Sequence, residues 1–140
     1  MVTYRLEATV STEVEAGLRA YREREREAYN ASDLGMVDNF CSDVILASHG
    51  LATMNGREEI RTFFEKLWAE HHASMEEVVD ETVHEAGNLL IITGRFRLKI
   101  TVKASGEVTY DNGRMVVVLK RNAAGDYELF REAALDNPAT

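Results

Sequence analysis

Tyr29-Asn30-Ala31-Ser32-Asp33, Phe40-Cys41-Ser42-Asp43, Val44-Ile45-Leu46-Ala47-Ser48-His49-Gly50 and Asn55-Gly56-Arg57-Glu58-Glu59-Ile60 follow one another as a series of stops and starts. Asn30 and Ser32 end a first helix, and Asp33 is a good N-cap for a second. Leu34, Val37 and Phe40 or Cys41 give that second helix a buried stripe, and Ser42-Asp43 ends it. Val44–Ala47 is too short and too β-branched for a helix and predicts a strand. Leu51–Met54 is a weaker strand or loop, and Asn55-Gly56 is a turn signal. A third helix follows. Ile60, Phe63, Phe64, Leu67, Trp68 and His71 keep helical spacing, and two Phe and a Trp on one face need a large apolar partner.

Upstream, residues 1–10 read as an arm or short strand. Thr12-Glu13-Val14-Glu15 matches a capping box, with Thr12 as N-cap. From there to about Ala31 the pattern is helical, with Val14, Leu18, Tyr21, Ala28 and Tyr29 on one stripe. The alternating charges Arg22 to Glu27 read as a solvated face. Downstream of Ala73 the period changes from helical to two. Strands are predicted at about 75–85, 89–103, 108–121 and 126–135, joined by Gly87-Asn88, Ala104-Ser105-Gly106-Glu107 and Asn122-Ala123-Ala124-Gly125. Short links between long strands predict an antiparallel meander, and helices followed by a meander predict an α+β layout.

The 140 residues fit one domain with one core, with residues 136–140 as a tail. Net charge is −8 and no basic block occurs, which argues against nucleic acid or anionic membrane as partner. No apolar run reaches the roughly 20 residues of a membrane span. The N-terminal residues lack an apolar signal segment, and Cys41 is the one cysteine. A cytoplasmic location is the expectation.

The order of elements resembles the nuclear-transport-factor-2-like superfamily, the cone fold of SnoaL-like polyketide cyclases and ketosteroid isomerases. The resemblance rests on Tyr29-Asn30-x-x-Asp33, Phe40-x-x-Asp43, Gly56-Arg57-Glu58-x-Ile60-x-x-Phe63-Phe64, Gly87-Asn88, Gly94-Arg95-Phe96, Gly113-Arg114 and the final strand from Tyr127 to Asn137. It implies a cone-shaped barrel of three N-terminal helices packed on a strongly curved antiparallel sheet. It also implies a pocket for a small apolar, polyketide- or steroid-like molecule, no cofactor, and a homodimer formed through the sheet. Matched to a ketosteroid isomerase, the carboxylate base falls at about Ser48, the protonated Asp near Val117 and the Tyr near Glu25, with Tyr21 and Tyr29 close by. None of the three is kept, which argues against standard ketosteroid isomerase chemistry.

Within the expected pocket, His49 follows the short strand and is a candidate general acid or base. Ser48 beside it is a candidate contact. Alternation along 89–103 puts Arg95 on a cationic outer face with Arg97 and Lys99. The family register instead aims Arg95 into the cone, where Glu132 would pair with it as a polar floor for a carbonyl or carboxylate. Both readings stand at this point. Met115, Val117, Leu119 and Phe130 are expected as apolar walls, with Phe64 and Trp68 on the helical side; plain core packing is the competing reading for each. His71-His72 diverge by about 100° on a helix, so no metal site is expected. Two functions remain in view. One is a small-molecule-binding cone. The other is a cofactor-independent isomerase, cyclase or hydratase using His49, Arg95 and Glu132.

Overall fold

The structure, a computed structural model, describes residues 3–136. Strand β1 (Thr3–Leu6) precedes the long helix α1 (Thr12–Asn30). A 3-10 helix (Leu34–Asn39) leads into β2 (Phe40–Ser48), the two-residue β3 (Met54–Asn55) and α2 (Gly56–Glu70). Four long strands follow: β4 (His71–Ala86), β5 (Leu89–Val102), β6 (Val108–Arg121) and β7 (Tyr127–Asp136). They form one seven-stranded sheet in the order β1-β4-β5-β6-β7-β2-β3. The sheet curves around α1 and α2, and apolar side chains from both helices and the concave face make one core.

Several expectations change. Two α-helices, not three, pack on the sheet. The middle segment is a six-residue 3-10 turn capped by Asp33, whose side chain accepts from the Gly35 amide at 2.8 Å. It is too short to hold an α-helical stripe, so Met36 and Val37 are its buried residues, and Phe40 and Cys41 belong to β2. The sheet is mixed. The meander β4–β7 is antiparallel, but β1 pairs in parallel with β4 and β2 in parallel with β7. The N-cap of α1 is Ser11, whose side chain accepts from the Val14 amide, and Thr12 is the first helical residue. His71 leaves the α2 stripe to begin β4. The tail prediction falls largely on residues 137–140, which lie outside the described residues.

Two glycines let the sheet bend. A Cβ on Gly94 would run into the Val79 carbonyl of the neighbouring strand, beside a register shift in β4 between Asp80 and Thr82. A Cβ on Gly113 would strike the Phe96 ring and approach the Leu135 carbonyl to 2.7 Å. Phe96 is the cross-strand partner of Gly113, so its ring covers the bare backbone. A second register shift, near Met75, leaves that amide to the side chain of Asn30, which accepts it at 2.9 Å and ties the end of α1 to β4.

Candidate functional site

Between the open end of the sheet and the two helices lies a cavity of about 230 Å³. Its walls are mostly apolar: Phe40 and Leu46 from β2, Phe63, Phe64 and Leu67 from α2, Phe96, Leu98 and Ile100 from β5, and Met115 from β6. Even-numbered residues of β5 point inward, so Phe96, Leu98 and Ile100 line the cavity while Arg95, Arg97 and Lys99 take the other face. The polar lining is small: Arg22, Glu25 and Tyr29 from α1, Ser48 from β2, Asp111 from β6 and Glu132 from β7.

Arg22 anchors the inner end. Its guanidinium donates to both carboxylate oxygens of the fully buried Asp80, at 3.1 and 2.8 Å, and to Glu25 at 2.9 Å. The Tyr4 hydroxyl also donates to Asp80, at 2.7 Å, and Tyr21 donates to Glu25 at 3.4 Å. One cation thus answers two carboxylates in a dry place, and bidentate pairing supplies the geometry that makes this tolerable.

Glu132 is the third carboxyl at this end. No side chain among the described residues donates a hydrogen bond to it, and it borders the open volume. Burial, and then the neighbouring Glu25 carboxylate, push it up to about 7, against a smaller downward pull from Arg22. Tyr29 stands within electrostatic reach. Burial, and then Asp111, Glu25 and Glu132, hold its hydroxyl proton well above the ordinary range, so it is a neutral donor at any physiological pH.

The sequence candidates divide. Glu132, Ser48, Phe64 and Met115 line the cavity. His49 is not in the lining; its Nε2 lies 3.7 Å from Oδ1 of Asp111, which is, and both are about one-third exposed. Arg95 does not enter the cone and does not meet Glu132. It pairs with Glu81 at 2.9 Å and lies 3.7 Å from Glu7, as simple alternation requires. Trp68 is buried behind the lining, edge-on to Tyr29 and packed on Phe64. Val117 and Leu119 are fully buried in packed core. Phe130 is turned away by a bulge. Leu119 pairs with Leu129 and Val118 with Arg131, so Phe130 is the unpaired extra residue, and its ring lies under the Arg131 guanidinium at 3.9 Å.

Sequence reasoning missed Arg22 and Asp111, and it named Glu25 and Tyr29 only beside the position of the isomerase Tyr, not as pocket residues. The signal for Arg22, Glu25 and Tyr29 was present. Leu18, Tyr21, Arg22, Glu25 and Tyr29 keep helical spacing, and the two charged members fill gaps in the stripe assigned as buried. Asp111 keeps the period-two register of Gly113 and Met115.

No family model matches this chain, and no curated protein matches it. Solved structures do. A conserved protein from Planctomyces limnophilus superposes with a TM-score of 0.81 at 18% identity, over 91% of this chain and 100% of that one. A ketosteroid isomerase-like protein from Erwinia carotovora gives 0.70 at 19% identity, over 89% and 96%. A protein from Catenulispora acidiphila, solved in complex with S-DNPA, gives 0.71 at 14% identity, over 89% and 93%. The chain has the nuclear-transport-factor-2-like fold, shared with solved structures of a ketosteroid isomerase-like protein and an ntf2-like protein.

Proposed function

We propose that this protein binds a compact, largely apolar organic molecule inside the cone, with its polar end at Glu132. The observation that carries this is an apolar cavity lined also by a carboxyl that has no side-chain donor among the described residues. Glu132 is partly exposed to this cavity, so a ligand donor that reaches it finds an acceptor no side chain among the described residues already occupies. The volume lies just below the roughly 300–1,000 Å³ usual for drug-sized ligands, which favours a small ring system. The complex of the Catenulispora acidiphila protein with S-DNPA is a precedent on the same fold. The test is a thermal-shift screen across small aromatic and alicyclic compounds, with Ala134→Phe as a cavity-filling control. At least one compound should raise the melting temperature of the wild type and leave the control unmoved. Equal shifts in both proteins would place binding elsewhere.

A second reading is cofactor-independent proton transfer. It draws support from Glu132, a carboxyl poised near neutral pH, with the Tyr29 hydroxyl as a donor in the same cavity. His49 and Asp111, both partly exposed, would exchange protons with solvent. Deuterium exchange into a bound carbonyl compound, slowed about a hundredfold or more in Glu132→Gln, would distinguish this reading from binding alone. We also infer that two copies associate through the outer face of β5–β7.

A further inference from the structure

We propose that the ligand carries a cationic group, a protonated amine or amidine, seated between Glu132 and Glu25 with its apolar body among the aromatic walls. This inference rests on the binding reading above and adds the charge of the ligand. The charged groups facing the cavity are Arg22 and Glu25 from α1, Asp111 from β6 and Glu132 from β7. Asp80 from β4 stands directly behind Arg22. Among the described residues Arg22 is the one cation there, and two carboxylates already claim it, Asp80 through two bonds and Glu25 through one. An entering carboxylate or phosphate finds no uncompensated positive charge and three acids around it. The Arg95 that the family register would have supplied for an anion lies on the other face, paired with Glu81.

An entering ammonium meets the opposite situation. Glu132 accepts from it, and so does Glu25 through Oε2, which receives only the long 3.4 Å bond from the Tyr21 hydroxyl while Oε1 is held by Arg22. Charge-assisted bonds of this kind are roughly twice as strong as neutral ones. The rings of Phe63, Phe64 and Phe96 line the same cavity and offer the apolar body an aromatic surface, which favours a nearby cation. The partly exposed acid of the lining, Asp111, adds an attractive field for an entering cation. Seating the cation also ionises Glu132, so binding near pH 7 releases a proton to solvent.

The experiment is isothermal titration of the wild-type chain with three probes of one shape, phenethylamine, phenethyl alcohol and phenylacetate, in physiological salt. The amine should bind about tenfold tighter than the alcohol, the increment of one charge-assisted bond, and phenylacetate should bind weakest. In Glu132→Gln, which keeps every surface charge, the preference for the amine should vanish while the alcohol still binds. Repeating the amine titration at pH 7 in two buffers of different ionisation enthalpy should read net proton release; this needs no variant, so it stands even if Glu132→Gln misfolds. Alcohol binding as tight as amine binding, tighter phenylacetate, or amine binding without proton release overturns the charge assignment and leaves the cavity reading in place. Failure of all three probes overturns both.

Discussion

Between its ordinary value of 4.5 and its folded value of about 7, Glu132 keeps a proton in the folded protein that the unfolded chain gives up. The folded state binds more protons through that window, so this residue's contribution to stability falls as pH rises across it and is level above it. Glutamine has no such loss. Glu132→Gln is therefore expected to match the wild type at about pH 4 and to exceed it by about 2–3 kcal/mol at about pH 8. Urea unfolding of both proteins at the two pH values checks this, and a variant no more stable at the higher pH would show that the carboxyl is better solvated than its position implies. Arg22 is expected to behave in the opposite way. Among the described residues, Arg22→Met leaves the fully buried Asp80 carboxylate with the Tyr4 hydroxyl alone, and stranding a buried charge costs about 3–5 kcal/mol. Arg22→Met with Asp80→Asn should recover part of that loss, because the stranded group is then neutral; a double variant no better than the single one would mean that Arg22 acts through packing alone.

At the scale of elements, the sequence was a good guide to what repeats and a poor one to what interrupts the repeat. The long strands, their turns and the α2 stripe follow from periodicity, and the order of elements carried the resemblance to the cone fold. Parallel pairing of β1 and β2 was not legible, because no local pattern says which distant strand a segment joins. Phe130 was misplaced because alternation assumes an unbroken ladder, and the bulge in β7 breaks it. Phe130 and Glu132 are both even-numbered, so alternation aims them the same way. Only Glu132, beyond the bulge, lines the cavity. The inner end of the site was hidden for a different reason. Charge alternation from Arg22 to Glu27 describes a wet helix face, and only Asp80, 58 residues away, makes it worthwhile to bury Arg22. The bend at Gly113 gives this scale its own prediction. Gly113→Ala pushes a methyl toward the Leu135 carbonyl, which as backbone in a paired strand cannot swing aside, and against the Phe96 ring. A loss of about 1–3 kcal/mol is expected in denaturant unfolding, together with weaker ligand binding, since Phe96 lines the cavity. An unchanged midpoint would show that the sheet relaxes there freely.

For the molecule as a whole, the convex face of the sheet carries what the concave face does not need. Cross-strand rows there read Ile91–Val118–Arg131, Thr93–Val116–Ala133 and Arg95–Arg114–Leu135. Ile91, Val116 and Leu135 remain 36%, 41% and 58% exposed, a contiguous apolar patch with arginines at its rim. Contiguous apolar surface rimmed by polar groups marks an association face in soluble domains. Much of the rim charge is already answered: Arg95 by Glu81 and Glu7, and Arg97 by the Tyr110 ring 4.1 Å away. Two copies related by a twofold axis could bring these patches together without leaving those cations bare. Val116 sits in the middle row, so Val116→Lys should set like charges against each other across the axis. Sedimentation velocity is expected to give a dimer for the wild type and a monomer for Val116→Lys, with the circular dichroism spectrum unchanged, because the residue faces away from the core. A wild type that sediments as a monomer would assign the patch to some other partner. A dimer that survives both Val116→Lys and Leu135→Lys would place the twofold on a different surface.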